Sequence, residues 1–179
     1  MLGRGNRLIL GLAVLAAVGG GFIEHRRQLA VPTPSSLVGQ SLPALTLADL
    51  DGHDHPLSDY RGHRLLLNLW ASWCAPCLGE LPALQHAQDK FGGRGVIVVG
   101  IAMDDPARVR AFLAQHPVRY PILLGRLGAD DTSITLGNRG QTLPYSMLVG
   151  ADGSILATHE GALSDAMLNR WLATAAVPH

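Results

Sequence analysis

Two nearly continuous apolar runs, Arg64–Ala71 (RLLLNLWA) and Val96–Met103 (VIVVGIAM), constrain the fold of this chain more than any other feature. A strand that is apolar at almost every position, rather than at every second one, has both faces covered, as a central strand of a parallel sheet does. Between the runs, Cys77, Leu81, Leu84 and Phe91 fall on one helical face, so Ala75–Phe91 is predicted as the crossover helix, bent at Pro82. Together these segments make one βαβ unit. With 179 residues, 47% of them apolar and 16% charged, the chain suits one packed domain and excludes a disordered polyelectrolyte. Two cysteines are too few for a disulfide-stapled scaffold.

The remaining pattern extends this unit. Asp105-Pro106 is a cap followed by a first-turn proline, and Val109, Phe112 and Leu113 repeat at helical spacing until His116-Pro117. Tyr120–Leu124 is a short strand candidate and Asp130–Leu136 a short helix. Pro144–Val149 and Ser154–His159 flank Ala151-Asp152-Gly153, the strongest hairpin signal in the chain. Met167, Leu168, Trp171, Leu172 and Ala175 define an amphipathic C-terminal helix opening near Ser164 or Asp165. Upstream, Leu42–Leu50, the Asp51-Gly52 turn and Pro56-Leu57 predict a hairpin outside the main sheet.

The N-terminus is a separate element. Leu8–Ile23 is uncharged, with Arg4 and Arg7 before it and Glu24, His25, Arg26 and Arg27 after it. At about 1.5 Å per residue such a helix spans roughly 24 Å, slightly less than the ~30 Å hydrocarbon layer. Residues 1–29 are therefore a signal anchor or a signal peptide, and 30–37, with Pro32, Pro34 and two serines, a spacer. Ala17 and Gly19 offer a cleavage pair, but the run continues through Phe22 without a clean A-x-A site, which favours an uncleaved anchor. Two arginines stand on either side, so charge does not orient the segment. An export signal places residues 38–177 in a periplasm, tethered to the inner membrane. The body beyond residue 30 carries ten basic and thirteen acidic side chains, which does not suit nucleic-acid binding.

Chemistry concentrates in Trp73-Cys74-Ala75-Pro76-Cys77, which holds both cysteines, directly after a central strand and at the start of its helix. A thiol there faces unpaired backbone N–H groups and the positive end of the helix dipole, which favour the thiolate. Cys74 is the predicted nucleophile; Cys77 comes round to the same face one turn deeper, where it can resolve a mixed disulfide formed at Cys74. Pro76 suits the first turn, and Trp73 shields one side. A purely structural disulfide is disfavoured, because a two-residue loop constrains the unfolded chain very little. A zinc half-site needs two more ligands; no histidine lies near in sequence, and His53-x-His55 has no evident reason to converge. No metal and no cofactor are expected.

Several stretches carry a family resemblance: Val38-Gly39, Leu57-Ser58-Asp59-Tyr60-Arg61-Gly62, Asn68-Leu69-Trp70-Ala71-Ser72-Trp73-Cys74-Ala75-Pro76-Cys77, Glu80-Leu81-Pro82, Leu143-Pro144 and the Asp152-Gly153 hairpin. Over Val38–Leu172 the chain resembles the thioredoxin family, in its membrane-anchored extracytoplasmic TlpA/ResA-like branch of thiol-disulfide oxidoreductases. The resemblance implies an α/β thioredoxin-like fold, a central mixed sheet flanked by helices, with an N-terminal hairpin extension and an inserted βα element. It implies that Pro144 is a cis-proline facing the Cys-x-x-Cys loop, and that Trp73, Ala75, Pro76 and the Leu143 backbone meet an extended substrate. Glu80 matches an acidic family residue that tunes the thiols and exchanges protons; the alternative on the sequence alone is a solvated helix residue.

Two departures stand out. Thioredoxins proper have a buried Asp where this chain has Asn68, so the proton acceptor for Cys77 is Glu80 or water. Tyr145-Ser146 replaces the frequent Thr-Thr after the proline, so substrate preference does not carry over. The intervening Ala75-Pro76 lacks a histidine, and a potential nearer thioredoxin's, about −270 mV, than DsbA's, about −120 mV, is expected. The implied activity is reduction of disulfides in extracytoplasmic proteins, in cytochrome c or copper-oxidase assembly, with electrons from a membrane thiol transporter of DsbD/CcdA type. The rival reading is a copper-handling module binding Cu(I) through the two thiolates, although copper carriers of this fold use Cys-x-x-x-Cys and a distal His. The chain also lacks the Gly-Val-x-Gly-Ala-Pro-Glu stretch of the DsbE/CcmG type. A peroxiredoxin would want Thr three residues before its Cys, where Ala71 stands.

Overall fold

Covered on both faces, as their composition demands, Arg64–Trp70 (β3) and Val96–Ala102 (β4) run parallel at the centre of the sheet. The computed structural model describes residues 37–173; the apolar N-terminal run, the spacer as far as Ser36 and residues 174–179 lie outside the described residues. Thr46–Ala48 (β1) and Asp54–Pro56 (β2) form a separate two-stranded antiparallel sheet. The main sheet adds Ile122–Leu124 (β5), Tyr145–Val149 (β6) and Ile155–Glu160 (β7) in the order β5-β4-β3-β6-β7. β5 is parallel to β4, whereas β6 is antiparallel to both β3 and β7.

Helices Ala75–Phe91 (α1), Pro106–Gln115 (α2), Thr132–Thr135 (α3) and Asp165–Ala173 (α4) complete the domain. This is the mixed, helix-flanked sheet expected, and the segment carrying α2, β5 and α3 lies between β4 and β6. Among the described residues no helix is long and apolar enough to cross a membrane.

Alternation along β3 divides the core. Leu65, Leu67 and Leu69 pack with Leu47, Leu57, Val99, Ile101 and Met147, beneath the β1–β2 hairpin. Leu66 faces the other way, with Leu81, Leu84 and Phe91 of α1 and Leu168 and Leu172 of α4. Burying each of these leucines stabilises the fold by roughly 1.5–3 kcal/mol. Asn68 lies on the α1 side, in register with Gly100 of β4 and Ser146 of β6, and is fully buried. A polar side chain at such a position must find its partners inside the protein.

Local chemistry sets the ends of the elements. Asp105 Oδ1 accepts from the backbone N–H groups of Ala107 and Arg108, and Pro106 takes the first turn of α2, where no amide hydrogen is needed. Gly153, at φ +86°, supplies the left-handed residue of the β6–β7 turn. β5 begins two residues later than predicted because Pro121 has no amide hydrogen to give to a ladder.

Candidate active site

Cys74 is the N-cap of α1, and its Sγ accepts from the Cys77 backbone N–H at 3.3 Å. The two cysteines are joined in a disulfide. They are not equivalent: Cys74 retains 5% exposure and Cys77 none. Trp73, 65% exposed, and the exposed Ala75 and Pro76 form the rim around Cys74. Leu143, half-buried, packs against the cluster that contains both cysteines, and the Leu143–Pro144 peptide is cis. Sequence-distant residues thus meet at one end of the sheet. A cleft beside Trp73 and Leu143 is lined also by Met103, Leu127 and Gln141.

Glu80 differs from the solvated helix residue that the sequence alone allowed. It lies three positions beyond Cys77 on α1 and is 97% buried. Its Oε1 accepts from Asn68 Nδ2 at 2.5 Å and its Oε2 from the Leu163 backbone N–H at 2.7 Å. Asn68 Nδ2 also donates to Ser146 Oγ at 3.0 Å. Burial pushes the Glu80 carboxyl above its usual range, an effect that outweighs the opposing hydrogen bonds from Leu163 and Asn68. A carboxyl so placed can take up a proton nearer neutrality than a solvated one. The nearby Tyr120 phenol is raised by its own burial and then by the charge of Glu80.

Several positioning residues escaped the sequence reading. The Asp104 carboxylate accepts from both the backbone N–H and the hydroxyl of Ser72, at 3.0 and 2.5 Å, and so anchors the loop into Trp73-Cys74. Burial alone would raise its pKa, but the hydrogen bonds from Ser72 and the Asp105 amide hold it below the usual carboxylate range. On the opposite loop, Asn138 Nδ2 donates to Ser133 Oγ and to the Thr142 carbonyl, while its Oδ1 accepts from Thr142 N–H. Gln141, at φ +50°, donates through Nε2 to Asp131. These bonds hold the segment leading into Leu143-Pro144. The available signal was a polar residue just past an apolar strand, as Asp104 is, and loop Asn and Asp residues that cap backbone groups.

The two hairpin histidines meet at Asp49 and not at the cysteines. His53 Nδ1 and His55 Nε2 lie 3.3 and 2.9 Å from Asp49 Oδ2, because the β1–β2 turn brings both beneath one carboxylate. Among the described residues, Asp49, Asp51 and His53 are the one group of three such side chains near enough to share a metal ion, and neither cysteine belongs to it.

Comparison with known proteins agrees with this geometry. The model of the AhpC/TSA family matches residues 38–158. The thiol-disulfide oxidoreductase ResA of Geobacillus kaustophilus (strain HTA426) is 30% identical over 166 residues, covering 90% of this chain and 89% of that protein. Thioredoxin-like protein YneN of Bacillus subtilis (strain 168) is 30% identical over 129 residues, covering 70% and 73%. The thioredoxin domain of a thiol-disulfide oxidoreductase from Bacteroides vulgatus superposes with a TM-score of 0.65 at 25% identity, covering 74% of this chain and 94% of that one. The matched region takes in β1 to β6, the first part of β7 and the disulfide, and the chain belongs to the AhpC/TSA family of thioredoxin-like proteins as a thiol-disulfide oxidoreductase related to ResA.

Proposed function

We propose that the protein reduces disulfides of extracytoplasmic proteins by thiol exchange at Cys74 and Cys77. The observation that carries this reading is the asymmetry of the pair, with Cys74 at the helix N-terminus keeping a small accessible edge while Cys77 is fully sealed behind it. In the reduced form the Cys74 thiolate attacks one sulfur of the substrate disulfide, joins it and expels the other as a thiolate. Cys77 then gives its proton to Glu80 and attacks Cys74 Sγ, forming the Cys74–Cys77 bond and releasing the second substrate thiolate. Two electrons pass from the pair to the substrate. Trp73, Ala75, Pro76 and Leu143-Pro144 are the surface on which the substrate strand lies.

The apolar segment Leu8–Ile23 supports export and tethering to an inner membrane, with the domain in a periplasm. A compartment without a glutathione buffer needs electrons brought through the membrane, for which a DsbD/CcdA-type thiol transporter is the fitting donor. Cytochrome c or copper-oxidase assembly is the fitting process. The copper-carrying alternative gains no support from the site, since among the described residues neither sulfur belongs to a group of three possible metal ligands.

The direction of transfer is tested with the reduced full-length protein and a protein containing one accessible disulfide. Loss of two thiols from the protein for each two gained by the substrate supports the reading. If the oxidised form instead readily forms disulfides in a dithiol substrate, while the reduced form leaves the disulfide intact, the reductase assignment fails.

A further inference from the structure

We propose that Asn68 is a positioning residue that follows the protonation state of Glu80 by turning its side-chain amide end for end. The grounds are a count of donors and acceptors around one buried carboxyl. Each Glu80 oxygen faces an N–H: Oε2 faces the Leu163 backbone at 2.7 Å and Oε1 faces Asn68 Nδ2 at 2.5 Å. That arrangement matches an ionised carboxylate, which only accepts. A proton on the side of either oxygen that faces its N–H would set two donors against each other at hydrogen-bond distance, inside a core where an unmade bond is costly.

The two donors differ in one respect. The Leu163 N–H belongs to the main chain and cannot be exchanged for an acceptor, whereas the Asn68 amide carries an acceptor on its other end. That oxygen, Asn68 Oδ1, is buried and has no hydrogen-bond partner among the described residues. Half a turn of the amide places Oδ1 against Glu80 Oε1, which then donates its O–H while Oε2 continues to accept from Leu163. The second neighbour of the amide tolerates both states: Ser146 Oγ, 3.0 Å from Nδ2, accepts from it in one and donates to Oδ1 in the other. The proton therefore resides on Oε1, and the turn accompanies each uptake. An ionised Asp at position 68 could not donate to an ionised Glu80, and an apolar residue could serve neither state.

Other titratable groups bear on Glu80 from the elements packed around it. Tyr120 precedes β5 and feels the Glu80 charge. His159 of β7 is the cross-strand neighbour of Ser146. On α1 itself lies the Cys74–Cys77 pair, and α4 presents buried Leu168 and Leu172. Among the described residues, none of these places a hydrogen-bond acceptor on Glu80 Oε1, which leaves Asn68 Oδ1 to receive the proton.

The inference deepens the role given to Glu80 above but is read without turnover. In the oxidised full-length protein, the Asn68 side-chain amide resonances and the Glu80 carboxyl carbon are followed by NMR across a pH titration. We expect both to move with one midpoint, and the Asn68 signals to become independent of pH in Glu80→Gln. Asn68 signals that stay fixed while Glu80 titrates overturn the inference. As a second measure, Asn68→Asp sets two carboxyls side by side, so that they hold a proton to higher pH; the pH profile of disulfide exchange should move alkaline by about one unit or more, and an unmoved profile is contrary. If Asn68 follows Glu80 while Glu80→Gln exchanges disulfides at the full rate, the turn stands and the catalytic reading of Glu80 falls.

Discussion

Asp104 holds Ser72 by two hydrogen bonds, one to its backbone N–H and one to its hydroxyl, two residues before Cys74. A buried carboxylate just past the end of β4 thereby fixes the loop that leads into Cys74. Asp104→Ala leaves the Ser72 amide unpaired and is expected to cost about 1–3 kcal/mol, read as a lower denaturant midpoint. Because the folded pKa of Asp104 is depressed, its contribution is present above the unfolded value of about 3.9 and is lost as pH falls below it. The variant should therefore show a shallower loss of stability in acid than the parent.

Glu80→Gln tests the buried carboxyl in two ways. With the folded pKa raised, both states are protonated below about pH 4.3, so burial carries no penalty there. As pH rises through the raised value, the ionised form must be held in the core and stability falls. The Gln variant should lack that decline. If Glu80 accepts the Cys77 proton, the same variant should slow resolution of mixed disulfides by about 10²-fold or more in single-turnover measurements.

Trp73→Ala separates docking from folding. The side chain is 65% exposed, so stability should change by no more than about 0.5 kcal/mol. Reduction of a protein disulfide should weaken through a higher KM, while reduction of a small-molecule disulfide, which does not reach the rim, stays near the parent rate.

Gly100 leaves little room for a side chain behind the site. A Cβ there would lie 2.7 Å from Ile122 Cδ1, 3.1 Å from Trp70 Nε1 and 3.3 Å from Tyr120 Cε2. Gly100→Ala should destabilise the domain by about 1–3 kcal/mol, measured by chemical denaturation.

What could be read from sequence was what local pattern encodes. Ala75–Phe91 was predicted with the bounds observed, because Cys74 caps it, Pro76 suits its first turn and its apolar positions recur at helical spacing. Asp105-Pro106 and Asp152-Gly153 announced themselves for similar reasons. The interior of the site was not legible, since its contacts join residues far apart in the chain. Glu80 and Leu163 are separated by 83 positions, and Asn68 and Ser146 by 78. A glutamate on a helix carries no local mark of burial until β7 and its following loop bring an amide against it. The convergence of His53 and His55 was hidden likewise, because it depends on where the β1–β2 turn places Asp49.

The most direct test of the account uses Cys77→Ser in the full-length protein, reduced and mixed with a protein containing a disulfide. The account predicts a covalent adduct through Cys74 that thiol reagents release, and none when Cys74→Ser retains Cys77, whose sulfur is sealed in the fold. An adduct that forms through Cys77 instead, or no adduct with either variant while the parent still reduces the substrate, would contradict it.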